Sequence, residues 1–191
     1  MDAIVLNLAP VIQLSEEQFF ELCQINELIR FERNADGTLL LMSLVGALTS
    51  NHNANLSAQL GNWNRDESLG IFFGSSVGFI LPNGAMRSPN FAWLKRERWH
   101  TLTQEQKERF PHICPDFVGE LRSHNDSLQR LQNKMCEYLK NGTKLGWLID
   151  LQTQRVEIYR QDAGVEVLES PASLSGENVL LGFVINLESI W

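Results

Sequence analysis

"CPDFVGELRSHNDSLQRLQNKMCEYLKNGTKLGWLID", residues 114–150, decides the fold. Its first run alternates Phe117, Gly119 and Leu121 with Val118, Glu120 and Arg122, the two-residue period of a strand. "DSLQRLQNKMCEYLKNG" then takes the helical period. Leu128, Leu131, Met135 and Leu139 form an apolar stripe, Asp126 opens the helix, and Asn141-Gly142 supplies its C-cap. "LGWLIDL" is nearly all apolar, as expected of a central strand covered on both faces.

Upstream, Ser15 with Gln18 three residues later is a capping-box signature for a helix over 16–27. "LIRFERNADGTLLLMSL" reads as a hairpin turning at Asp36-Gly37. "TSNHNANLSAQLGNWNRDESLG" reads as a helix starting near Thr49 or Ser50, ending at Gly70, with Leu56, Leu60 and Trp63 on its apolar face. "GIFFGSS", "GFILP" and "RSPNFAWL" are short strands, and "LKRERWHTLTQEQKERFPHI" is helical in part. "RVEIYR" adds a strand before a turn-rich tail. The pattern predicts an N-terminal arm over 1–14, then one domain over 15–191. Its fold class is α/β, a mixed α+β arrangement of helices around one sheet.

The 191 residues are 43% hydrophobic and 20% charged, an ordinary globular balance with enough chain for a sizeable core. No apolar run is long enough to span a membrane. "MDAIVLNLAP" has an acid at its second position and no basic region, so a cytoplasmic location is expected. Cys23, Cys114 and Cys136 form no C-x-x-C pair, and structural zinc is not expected. The net charge, 16 − 23 = −7, argues against a broad non-specific nucleic-acid surface. It leaves room for a few cations in one cleft.

Glu120 and Arg122 fall on one face of their strand. A carboxylate there can hold Mg²⁺, and a cation beside it can stabilise charge developing on phosphate. The same spacing also describes a surface ion pair, the commoner case. A catalytic metal needs a second oxygen ligand, and a neighbouring strand is only about 5 Å away. Asp116 is too far along the same strand, about 13 Å from Glu120, and reads as a strand-start residue. Asn90 is the adjacent-strand candidate, sharing a face with Ala92 and Leu94. Lys134 lies beside the buried stripe of its helix, where a lysine either snorkels or meets an anion. His52 and Asn53 open the second helix, either as satisfied, partly buried groups or as the rim of a site.

"NELIRFERNADGTLLLMS", "GFILPNGAMRSPNFAWLKRERW", the stretch over 114–150 and "LSGENVLLGFVINLESIW" together resemble the Uma-type family of endonuclease-like bacterial proteins. The resemblance runs from about Ser15 to Trp191. It implies a restriction-endonuclease-like core of the PD-(D/E)XK superfamily, with an N-terminal helix and hairpin. It further implies a site for Mg²⁺ or Mn²⁺, DNA as partner and, by analogy, a homodimer. The family's Pro-Asp falls on Pro89-Asn90, its site glutamate on Glu120, and its lysine position on Arg122. Lys134 looks like that lysine moved to the following helix, and is the better candidate for the catalytic cation. Glu32 in "RFER" matches a family glutamate, and a helix glutamate falls on Asn55.

On this resemblance the metal ligands are Glu120 and Asn90. An amide oxygen can coordinate Mg²⁺ but brings no negative charge, so metal affinity falls. Two functions follow. One is a metal-dependent endonuclease hydrolysing phosphodiester bonds through Glu120, Asn90, Lys134, Arg122 and Glu32, impaired by the Asn90 amide. The other is a nuclease-fold protein without catalysis that binds nucleic acid or protein.

Overall fold

The computed structural model describes residues 4–9, 11–42 and 44–191; residues 1–3 of the N-terminal arm lie outside the described residues. The arm carries β1 (Ile4–Leu6). Ser15 and Gln18 then cap α1 (Glu16–Ile25) reciprocally, each side chain accepting from the other's backbone N–H. The hairpin forms as β2 (Arg30–Arg33) and β3 (Leu39–Met42), with Gly37 at φ 87° in the turn. α2 (Ala47–Glu67) starts before Thr49, behind Gly46, which offers no side-chain cap. It ends at Ser68 rather than Gly70, with Ser68 itself in the left-handed conformation at φ 54°.

Next come β4 (Gly70–Phe73), β5 (Phe79–Ile80), β6 (Met86–Arg87) and β7 (Phe91–Lys95), then two short helices, α3 (Arg96–His100) and α4 (Gln104–Glu108). The deciding stretch is β8 (Phe117–Arg122), α5 (Leu128–Lys140) and β9 (Leu145–Asp150). Ser127, not Asp126, caps α5, accepting from Arg130 N; Asp126 instead accepts from Ser123 and pairs with Arg130. β10 (Arg155–Arg160), β11 (Glu166–Glu169), β12 (Ser173–Ser175) and β13 (Val184–Asn186) complete the chain.

The strands form two main sheets and a ribbon, not one sheet. The six-stranded sheet runs β11-β10-β9-β8-β7-β4, antiparallel except for β8–β9. The five-stranded sheet runs β1-β3-β2-β6-β5, and β12 pairs with β13. "RSPNFAWL" therefore belongs to both sheets. The reason lies in its donors. Ser88 N donates to the Glu32 side chain at 2.9 Å, and Pro89 has no N–H to give. Neither residue can extend a ladder, so the strand breaks there. Met86–Arg87 stays with the hairpin and Phe91–Lys95 joins the larger sheet.

Side chains alternate across the six-stranded sheet as the sequence requires. Phe91, Phe117, Leu121, Trp147 and Ile149 pack with Leu56 and Leu60 of α2 and with Phe183 and Ile185 of the tail. Ala92, Leu94, Val118 and Leu148 pack with Leu131, Met135 and Tyr138 of α5. All six residues of β9 are buried, which fits its apolar run. Glu120 shares the parity of Val118 and so faces α5.

Gly119 is where this packing is tightest. It is the register partner of Phe91, and a Cβ there would lie 2.0–2.2 Å from that ring. Gly119→Ala is expected to lower stability by about 1–3 kcal/mol through overpacking. The measurement is the denaturant midpoint, and an unchanged midpoint would show that the ring gives way freely.

Candidate active site

Three elements from two sheets and a helix meet at one point. Glu32 comes from β2 and is fully buried, Glu120 from β8 and Lys134 from α5 are nearly so. Lys134 Nζ lies 2.7 Å from Glu32 Oε1 and 2.7 Å from Glu120 Oε1, and donates to Ser88 O at 3.3 Å. Tyr138, one turn further along α5, donates its hydroxyl to Glu120 Oε1 at 3.2 Å. Arg87 stands on the other side of Glu32, its Nη1 3.9 Å from Oε2. Its Nε is bound to Glu137 at 2.5 Å and its Nη2 to Asn34 at 2.8 Å. A groove of about 480 Å³, lined by Glu32, Asn34, Arg87, Arg130, Lys134 and Glu137, opens beside the cluster.

Asn90 precedes β7 by one residue. Phe91 pairs with Gly119, so Asn90 follows opposite Glu120. Its Oδ1 accepts from Leu121 N at 2.9 Å. Arg122 shares the Glu120 face, but its guanidinium turns to Asp150, 2.7 Å away, and to Asp126 O at 3.0 Å. Asn55 is exposed on α2, across the sheet from α5, and buried His52 lies on that same helix. Asp116 has structural work: its Oδ2 accepts from Lys95 N at 2.9 Å, and its Oδ1 pairs with Arg98 and Lys144. Thus the structure gathers Glu32, Glu120 and Lys134, sets Asn90 against β8, and directs Arg122 elsewhere.

The two carboxylates differ in proton affinity. Burial pushes Glu120 up, Lys134 pulls it down and the Glu32 charge pushes it up again; it ends above the usual carboxylate value. Burial acts on Glu32 too. There Lys134, Arg87 and the Ser88 N–H together outweigh it and hold the group below its usual value. Burial raises the Tyr138 phenol well above its ordinary range, so it remains a donor. Ser88, Arg87 and Tyr138 were not singled out in the sequence as site residues. Tyr138 carried a signal, four residues from Lys134 on one helical face; Ser88 and Arg87 carried none.

A mixed sheet thus lies between α2 and α5, and two acids and a lysine gather where the two main sheets meet. The chain belongs to the Uma2 family, described as "Putative restriction endonuclease", which matches residues 16–188. Its fold is similar to the crystal structure of a protein from Anabaena variabilis ATCC 29413, described as a putative nuclease belonging to DUF820. That likeness has a TM-score of 0.71 at 18% identity, over 84% of this chain and 88% of that one. No curated protein matches. No helix among the described residues is long and apolar enough to cross a membrane.

Lys134→Met strips both carboxylates of their shared cation, and breaking a buried ion pair costs about 3–5 kcal/mol. The pH dependence has a definite sign. Glu32 is held below its ordinary 4.5, so its contribution is present above that value and fades as pH falls through its native pKa. Without Lys134, burial acts on Glu120 with less opposition and Glu32 keeps only Arg87 and the Ser88 N–H against it, so both acids rise in the native state relative to the parent. The stability deficit of the variant is then largest at neutral pH and shrinks as the acids take up protons on acidification. Urea unfolding across pH measures it, and a pH-independent deficit would contradict this balance.

Proposed function

We propose that the chain is a metal-dependent endonuclease acting on phosphodiester bonds of DNA in the cytoplasm, weakened by the amide at Asn90, and that it works as a homodimer. The observation that carries this reading is the convergence of Glu32 and Glu120 on one point, each 2.7 Å from the Lys134 ammonium. Two hard oxygen donors that meet around one cation suit Mg²⁺ or Mn²⁺. Glu32 Oε2, buried and without a hydrogen-bond partner, adds an acceptor in the same place. The set is short of acids. Among the described residues no three His, Cys, Asp or Glu side chains cluster as a metal site. Glu120 and Glu32 would hold the ion, and Asn90 offers a neutral oxygen that already accepts from Leu121 N. When bound, such an ion polarises phosphate and makes water a better nucleophile.

The chain's own groups supply the rest. Lys134, once drawn toward an incoming phosphate, would offset the charge that develops on its oxygens. Arg87 holds the charge on Glu32, and Tyr138 with Lys134 fixes the Glu120 carboxylate from α5. Arg122 takes a positioning role here, tying the end of β8 to Asp150 on β9. A second reading, a nuclease-fold protein that binds nucleic acid or protein without cutting it, is favoured by the single observation at Asn90.

Plasmid cleavage with Mg²⁺ and with Mn²⁺ separates the two. Asn90→Asp restores a charged ligand with nearly the same shape. It is expected to raise cleavage at least about tenfold over a slow parent, because each added ligand charge tightens metal binding. Glu120→Ala is expected to abolish it. If neither the parent nor Asn90→Asp cuts, and calorimetry detects no Mn²⁺ binding, the endonuclease reading is wrong.

A further inference from the structure

β2 sends Arg30 and Glu32 to the same face, because alternate residues of a strand point the same way. Glu32 is absorbed into the ion cluster, and Arg30 is not. Arg30 Nη2 donates to Ser88 O at 2.9 Å, the same carbonyl that accepts from Lys134 Nζ at 3.3 Å. The guanidinium and the ammonium thus stand two hydrogen bonds apart, and Lys134 in turn touches Glu32 and Glu120. Arg30 is also close enough to Glu120 for its charge to oppose the rise in that carboxyl's pKa.

The other cations at or beside the cluster are each engaged by an acid. Lys134 has Glu32 and Glu120, Arg87 has Glu137, Arg130 has Asp126 and Arg122 has Asp150. Arg30 pairs with no carboxylate among the described residues. A guanidinium carries five N–H groups. The one hydrogen bond that Arg30 makes through them is to Ser88 O, and its Nε is buried with no partner. A buried donor without an acceptor is costly, so a ligand that supplies one is favoured there. Arg30 is only partly buried, and with Ser88 it lines a groove of about 340 Å³ that gives such a ligand access. Glu27 lines the same groove but is exposed and makes no ion pair with Arg30.

We propose that Arg30 is the residue of this site that grips the DNA backbone, its free N–H groups taking the oxygens of the phosphate presented to Glu120 and Glu32. A guanidinium can give two parallel N–H bonds to one phosphate and stays charged at any working pH. Lys134 has to leave two acids before it can do the same, and Arg87 and Arg122 are held by theirs. Arg30 has no acid to leave, so its contact with phosphate breaks no ion pair. The net charge of −7 repels DNA from most of the surface, which gives weight to an unpaired cation beside the acids. This assignment rests on the nucleic-acid reading proposed above and adds to it the residue that binds the strand.

The test is fluorescence anisotropy of a labelled DNA duplex titrated with the full chain at several salt concentrations, in Ca²⁺, which suits the same oxygen donors. Arg30→Gln keeps a donor for Ser88 O and loses the charge. Arg30→Lys keeps the charge and loses the forked geometry. Arg30→Gln is expected to weaken binding at least about tenfold and to reduce the slope of log affinity against log salt by about 1, as for one lost phosphate contact. Arg30→Lys should keep the parent slope and lose less affinity. Arg65→Gln, exposed at the end of α2 across the six-stranded sheet, should bind like the parent. Calorimetry with Mn²⁺ separates a contact with DNA from a purely structural role: neither Arg30 variant should bind the ion more weakly than the parent. Arg30→Gln with the parent's affinity and slope overturns the proposal and leaves the endonuclease reading to its own assays. Loss of Mn²⁺ binding together with DNA binding in Arg30→Gln also overturns it, because Arg30 then only props the site. A parent with no measurable affinity for the duplex does the same. A parent that neither cuts nor binds Mn²⁺ sinks the endonuclease reading, yet a salt slope that depends on Arg30 in that parent still upholds Arg30 as the phosphate contact.

Discussion

Everything around the cluster depends on one ammonium group standing between two carboxylates on different sheets. Lys134 reaches Glu32 on the five-stranded sheet and Glu120 on the six-stranded one, and α5 places it there by burying Leu131, Met135 and Tyr138. Attraction among buried ions is largely offset by the loss of hydration, so the cluster adds little net stability. Its weight lies in fixing an arrangement. Two acids and one lysine leave an excess negative charge, and Arg87, itself bound to Glu137, adds its attraction on the Glu32 side only. That asymmetry explains why Glu32 keeps its charge more readily than Glu120.

The segment Ser88–Pro89–Asn90 ties the two sheets to this point. Ser88 gives its N–H to Glu32 and its carbonyl to Lys134 and Arg30. Asn90 gives its side-chain oxygen to the backbone of β8. Polar groups that leave both ladders are thus used inside the site, which satisfies the demand that buried backbone groups be paired.

Local pattern made much of this legible. Alternation put Glu120 on the face of Val118, and helical period put Lys134 beside the buried stripe, because both depend only on near neighbours in sequence. The face of Asn90 on its own strand was readable in the same way, but its place beside β8 comes from strand pairing. Glu32 entered through family resemblance alone, since nothing within "RFER" says which sheet its strand will face. Arg122 lay on the right face yet turned to Asp150, its parallel register partner on β9. That pairing is set by tertiary register, which no local period encodes. The division of "RSPNFAWL" was equally hidden, because its cause is competition for the Ser88 N–H by a side chain far away in sequence.

The three-residue crossing also acts as a form of proofreading on the fold. A slip of one residue along it would turn Asn90 to the opposite face and remove the Ser88 N–H from Glu32. Each buried polar group stranded in this way costs about 1–3 kcal/mol, and a charged one more. Wrong registers are therefore excluded by the penalties they incur, rather than by any large bonus given to the native one. In this chain the residues that assemble the pocket are also the ones that reject its misfolded alternatives, so pocket and register stand or fall together.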